Sequence, residues 1–211
     1  MRIKRFLIVG DSGSWTLRGT SIGGGTDNTT PWVSQIWPHK MVQALDQQYP
    51  NSKVKAVNRS YGGQNSNDVI RRIAGWSMFP IDVVILALGT NDCANNANPP
   101  STTAANLVAV GQRLRYYHGM SLPIVLCTPW NSLDGSRTPY IAAMQDGIAG
   151  AGTTLGGNTA VARMETAWAS GSSATYLQTD NIHPNSAGHA LIAPVVTAAV
   201  VSVAGAILAA A

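Results

Sequence analysis

Charge is scarce in this chain. Asp, Glu, Lys and Arg make up 11% of the 211 residues, against about 25% in an average soluble protein. With 45% hydrophobic residues, that scarcity excludes a disordered or highly solvated polypeptide. The 14 basic residues outnumber the 10 acidic ones, for a net charge of +4. They are scattered, and the densest groups are "RIKR" at the start and Arg71-Arg72. Nucleic-acid binding needs a clustered basic face with interleaved aromatics, so no nucleic-acid partner is expected. Cysteine is limited to Cys93 and Cys127, which have neither metal-ligand spacing nor a disulfide framework. Both fall in or just after predicted core strands, where two buried thiols are the expected reading and a single disulfide the alternative. The histidines and acids form no metal-binding cluster, so no metal and no cofactor are expected. The apolar run Phe6 to Val9 is far short of the roughly 7 to 15 residues of a signal-peptide core. No signal peptide is visible, and a cytoplasmic location is the default expectation.

One stretch lacks charge altogether. The tail "HALIAPVVTAAVVSVAGAILAAA" has no Asp, Glu, Lys or Arg over a length that could span a bilayer. Pro194, the many small residues and the absence of flanking basic anchors favour a packed terminal helix over a membrane span. Its outer face is available to a second copy, so a homo-oligomer through this segment is one expectation.

What the chain does have is alternation. The apolar runs "RFLIV", "KVKAV", "DVVILAL", "LPIVLC" and "TAVARM" are separated by longer amphipathic segments. Short runs rich in Val and Ile with helical spacers predict buried parallel strands joined by helical crossovers. Helices are expected from Pro38 to Tyr49, from a cap at Ser66 or Asn67, from a cap at Ser101 or Thr102 to Gly119, and from a Thr138 cap with Pro139 in the first turn. No repeat or linker divides the chain, so one α/β domain over 1–211 is expected. The long glycine-rich segment over 19–36 does not fit the alternation. Loops of that length are usually functional or disordered; Trp32 and Trp37 can anchor its far end.

In open α/β sheets ligands bind beyond the carboxyl ends of the strands. The predicted strands deliver Gly10-Asp11-Ser12, then "NRSYGGQNSND", then "GTND" (89–92), then Thr128-Pro129-Trp130 to that rim, and "DNIHP" (180–184) follows near the C-terminus. These are the parts of acyl transfer. A serine hydroxyl needs an imidazole to take its proton, and the imidazole needs a carboxylate to fix its tautomer. Asp180 and His183 can supply both from one turn. The tetrahedral intermediate needs donors aimed at its oxyanion, for which the Ser12 N–H, an N–H in the Gly62-Gly63 turn and the Asn91 amide are suited. Asp11 is expected to bond nearby backbone and Asp92 to hold its loop. His189 is the rival to His183, and the Asp-x-x-His spacing favours His183.

The four segments, in this order, resemble the four blocks of the SGNH/GDSL hydrolase superfamily, of the esterase and lipase type. The resemblance runs from Val9 to His189, with Trp37-Pro38 similar to the family's usual start to its first helix. It implies a flavodoxin-like three-layer α/β sandwich around a mostly five-stranded parallel sheet. It also implies Ser12 as nucleophile and oxyanion donor, Gly63 and Asn91 as further oxyanion donors, and Asp180 and His183 completing the triad. Gly13 departs from the leucine common after the family's serine. The GxSxG elbow of the α/β-hydrolases is absent. The resulting expectation is a serine hydrolase cleaving carboxylic esters through an acyl-enzyme. The Asn- and Gly-rich rim points to short acyl groups on polar or carbohydrate alcohols, hence a small-molecule or carbohydrate ester as substrate. An acyltransferase with the same triad, or a non-catalytic carbohydrate- or partner-binding module, are the alternatives.

Overall fold

The structure is a computed structural model, and it describes residues 2–14, 33–76, 79–168 and 172–210. Most of the 19–36 segment, including Trp32, lies outside the described residues. Five strands form one parallel sheet: β1 (Arg2–Gly10), β2 (Ser52–Asn58), β3 (Val83–Ala87), β4 (Ile124–Cys127) and β5 (Thr159–Ala162), in the order β2-β1-β3-β4-β5. This is the flavodoxin-like order, whose switch point lies between β1 and β3.

The strands read as unbroken apolar runs because both faces are covered. Phe6 and Ile8 of β1 point into one core with Val83, Ile85, Val125 and Cys127. Leu7 and Val9 point into the other with Val84, Leu86, Ile124 and Leu126. The first core is closed by α1 (Trp37–Gln48) and α7 (Ser186–Ala209), the second by α2 (Ser66–Arg72), α4 (Pro100–His118) and α5 (Thr138–Leu155). Two short helices, α3 (Thr90–Cys93) and α6 (Ser173–Tyr176), sit in the connections. Cys93 and Cys127 are free thiols, each buried in a different core. That rules out the alternative disulfide.

Three expected helix starts are corrected. The cap of α2 is Asn65, not Ser66 or Asn67. The Asn65 side chain accepts from the Asp68 N–H at 3.1 Å and the Asp68 carboxylate accepts from the Asn65 N–H at 3.2 Å, a reciprocal capping box. Ser66 is unavailable because its hydroxyl donates to Asp92 at 2.6 Å. Helix α4 starts at Pro100, ahead of Ser101 and Thr102, with Pro99 at the cap position. A proline in the first turn forfeits no helical hydrogen bond. Helix α5 begins with Thr138 itself, after Arg137, because the Thr138 hydroxyl turns back to the Asp134 carbonyl at 2.8 Å.

The uncharged tail is α7, 24 residues long. By length and composition it could cross a membrane; in this fold Ile192, Val196, Val200, Ala204 and Leu208 form a buried stripe at helical spacing in the α1-side core.

Candidate active site

The site starts where β1 runs out. Gly10 closes the strand against Ala87 of β3, and a Cβ there would meet the Ser14 hydroxyl at 2.7 Å and the Ala87 carbonyl at 2.8 Å. The chain then turns tightly. The Ser14 N–H donates to the Asp11 carbonyl at 3.0 Å and the Gly13 N–H to the Asp11 carboxylate, also at 3.0 Å. Asp11 is buried, and burial pushes its carboxyl up to about 6, although the Gly13 N–H, His183 and Thr90 pull the other way. Its carboxylate organises the turn that carries Ser12.

Ser12 Oγ lies 2.6 Å from His183 Nε2, across 171 residues of sequence. His183 Nδ1 lies 2.5 Å from Asp180 Oδ2. With Nδ1–H donating to the carboxylate, Nε2 is left as the acceptor for the serine hydroxyl. The other Asp180 oxygen accepts the backbone N–H groups of Ile182 at 2.9 Å and His183 at 3.0 Å. Partial burial raises the Asp180 carboxyl, but the His183 ring and these two N–H groups outweigh it and hold it below the usual carboxylate range.

The turn around His183 is gripped by the loop after β4. Trp130 Nε1 donates to the Ile182 carbonyl at 2.6 Å, while the Ser132 hydroxyl and Leu133 N–H donate to the Asn181 carbonyl at 3.0 and 2.9 Å. Asn181 takes a left-handed backbone conformation, φ 60°, which asparagine tolerates better than most residues. The Trp130 ring also lies against Gly13, where a Cβ would sit 2.0 Å from ring atom Cη2. The leucine common at that position has no room here.

Gly63 and Asn91 are joined through Gln64. The buried Gln64 side chain donates to the Gly10 carbonyl at 2.8 Å, and the Gln64 backbone carbonyl accepts from Asn91 Nδ2 at 3.0 Å. The Tyr61 N–H reaches the same Gly10 carbonyl at 3.2 Å. Gly63 has φ +75° with open space where a Cβ would be. Only glycine adopts that conformation at little cost. Arg137 donates to the Thr90 carbonyl at 3.0 Å and to Asn91 Oδ1 at 3.5 Å, so the Asn91 amide is held at both its oxygen and its nitrogen. Below, Asp92 accepts from the Ser66 hydroxyl, the Asn98 amide at 2.8 Å and the Thr103 hydroxyl at 3.1 Å. It binds the starts of α2 and α4 together.

His189 lies elsewhere. It is buried on α7, and its Nδ1 accepts the Trp37 N–H at the start of α1 at 3.3 Å. Burial, with help from His183 and Lys40, lowers its pKa to about 3. A ring held neutral and out of water serves packing. Among the described residues, no group of three or more His, Cys, Asp and Glu could hold a metal ion. Gln64, Trp130 and Arg137 are the supporting residues that motif reading misses. The side chain of each donates to a backbone carbonyl 47 to 54 positions away.

This geometry has relatives. Axe2, an acetylxylan esterase from Geobacillus stearothermophilus, shares 19% identity over 93% of this chain and 94% of its own, with a TM-score of 0.68. TesA is 22% identical over 95% and 99%, at 0.69. LAE5, an alpha/beta hydrolase enzyme from the metagenome of Lake Arreo, is 21% identical over 93% and 94%, also at 0.69. At such identities the likeness is one of fold. No curated protein sequence matches significantly. The sequence model of the GDSL-like lipase/acylhydrolase family, however, matches residues 8–191. With strands β2 to β5, the end of β1 and every strand-end segment inside that span, the chain belongs to the GDSL-like lipase/acylhydrolase family of enzymes.

Proposed function

We propose that this enzyme hydrolyses carboxylic esters of short acyl groups on polar or carbohydrate alcohols, with Ser12 as nucleophile, His183 as acid and base, and Asp180 as its orienter. The observation that carries the reading is the continuous hydrogen-bonded chain from Ser12 Oγ through His183 to Asp180. As Oγ attacks the ester carbonyl, its proton passes to His183 Nε2. The negative charge moves to the carbonyl oxygen, where the Ser12 and Gly63 N–H groups and the Asn91 amide are its proposed donors. The bond to the alcohol then breaks, and His183 Nε2 returns the proton to the leaving oxygen. Water, deprotonated by the same nitrogen, attacks the acyl-enzyme and releases the carboxylic acid and free Ser12.

The substrate class rests on the surroundings. Beside Gly63 lies an open cavity of about 530 Å³, walled by Tyr61, Gly62, Gln64, Asp68 and Arg72. The Arg72 guanidinium stacks 5.3 Å from the Tyr61 ring centre. An exposed aromatic edge, a carboxylate and a guanidinium suit a hydroxyl-rich group better than a lipid tail. Axe2, similar in fold, is an acetylxylan esterase by name.

The test is a p-nitrophenyl ester series from acetate to palmitate beside acetylated xylo-oligosaccharides, on wild type and Ser12→Ala. Turnover should peak at acetate, extend to the acetylated sugars, and fall about 10⁴-fold or more in the variant. Equal turnover in both proteins would remove the enzymatic role of Ser12. Rates rising steadily with chain length would remove the short-acyl reading. With an acceptor sugar present, acetate should exceed transacylated product; the reverse would make the chain an acyltransferase.

A further inference from the structure

We propose that Trp130 is a positioning residue for catalysis, a wedge that sets the distance between the nucleophile turn and the histidine turn, and that Gly13 is glycine to receive it. The proposal rests on Ser12 and His183 being nucleophile and base. Three observations carry it. The one side chain of Trp130 meets both turns. Its ring presses on Gly13, one residue after Ser12, and its Nε1–H donates at 2.6 Å to Ile182, one residue before His183. The fit at Gly13 is complementary and exclusive. An added Cβ would lie 2.0, 2.8 and 2.9 Å from three ring atoms, too close for any side chain. Finally, the wedge stands on a rigid base. Trp130 is buried. Just before it, the Thr128 N–H is bound to β5 through the Ala162 carbonyl at 3.0 Å, and the Pro129 carbonyl accepts from the Gln145 amide at 2.9 Å.

The consequence follows from how strongly proton transfer depends on distance. The Ser12–His183 contact joins two loops of different ends of the chain, and an error of about 1 Å in such a contact can cost about 100-fold in rate. Ring bulk fixes how far the nucleophile turn can settle, and the indole N–H fixes where the histidine turn hangs. Neither contact touches the ester, so their loss should appear in kcat and leave substrate binding alone.

The test compares wild type, Trp130→Phe, Gly13→Ala, Trp130→Leu and the double variant Gly13→Ala/Trp130→Leu. The readouts are p-nitrophenyl acetate kinetics and the rate of Ser12 labelling by a fluorophosphonate, with circular dichroism checking that each protein is folded. Trp130→Phe, which loses both the N–H and the outer ring atoms that meet Gly13, should lower kcat and the labelling rate about 10-fold or more with KM unchanged. Gly13→Ala should fall about 100-fold or more. The double variant should recover at least 10-fold over Gly13→Ala, because the smaller side chain makes room for the added methyl. If Trp130→Phe is folded and retains full kcat, or if the double variant is no better than the product of its single effects, the proposal is overturned. Should Gly13→Ala fail to fold, Trp130→Phe alone decides. A wild type with no esterase turnover at all would instead overturn the functional reading beneath it.

Discussion

Two aspartates near the same histidine have opposite environments, and the difference assigns their work. Asp180 accepts three N–H groups and is held ionised, as a partner for an imidazolium must be. Asp11 is buried with its carboxyl pushed up to about 6, so its charge costs stability at neutral pH. The native protein therefore takes up a proton at Asp11 before the unfolded chain does. The penalty, on the order of 3 kcal/mol, is fully present above about pH 6 and is relieved as pH falls towards the ordinary value near 3.8. An asparagine can still accept from the Gly13 N–H. Asp11→Asn is therefore expected to be more stable than wild type in urea at pH 7.5, with the gap closing at pH 4. A gap of equal size at both pH values would contradict this. Loss of the proposed oxyanion donor at Asn91 should lower kcat in Asn91→Ala by about 10²–10³-fold, read in p-nitrophenyl acetate kinetics.

Between elements, the α1–α7 pair shows how a polar group is spent on packing. His189 gives the Trp37 N–H a partner that Ile36, at the cap position, cannot supply. Because its native pKa is lowered to about 3, the unfolded chain is protonated at this position first as pH falls below 6.5. Stability tied to His189 is therefore complete above about pH 6.5 and lost at about 1.4 kcal/mol per pH unit below it. His189→Ala should cost about 2 kcal/mol or more at pH 7.5. The urea-derived stability of that variant should also lack this share of the wild type's decline at pH 5. This is the reverse of the Asp11 slope, so the two single variants separate the contributions.

The strands and the helix faces were legible because each is written locally: unbroken apolar runs where both faces are covered, an apolar stripe where one is. The caps were less legible. Ser66 looks like a cap until Asp92, 26 positions on, takes its hydroxyl, and the residue that does the capping is its neighbour. The same divide runs through the site. Ser12, Gly63, Asn91, Asp180 and His183 stand in short strings at strand ends, where residue type and spacing mark them. Trp130 and Gln64 stand in such strings too, but neither residue type nor spacing gives them a role there. Their importance lies in carbonyls they meet only after the sheet has folded.

At the scale of the molecule, the order β2-β1-β3-β4-β5 puts the ends of β1 and β3 side by side, so Ser12 and the Asn91 amide share the switch-point crevice. The histidine turn comes from far along the chain and leads directly into α7, which fastens the rim to the base of the sheet. Near its end, the Leu208 carbonyl accepts the Ser52 hydroxyl at 2.6 Å and the Ala210 carbonyl accepts Lys4 Nζ at 3.3 Å. Removing residues 201–211 therefore exposes core at β1 and β2. It should lower urea-derived stability by about 4 kcal/mol or more through the loss of the buried Ala204 and Leu208. Unchanged stability in the truncated chain would show that α7 ends, energetically, near Val200.

The central claim is that the Ser12 hydroxyl is activated by His183. Mass spectrometry of the fluorophosphonate adduct tests it directly. The adduct should map to the peptide holding Ser12 alone, and its formation should slow about 10³-fold or more in His183→Ala. An adduct on another residue, or labelling at the wild-type rate in His183→Ala, would contradict the account.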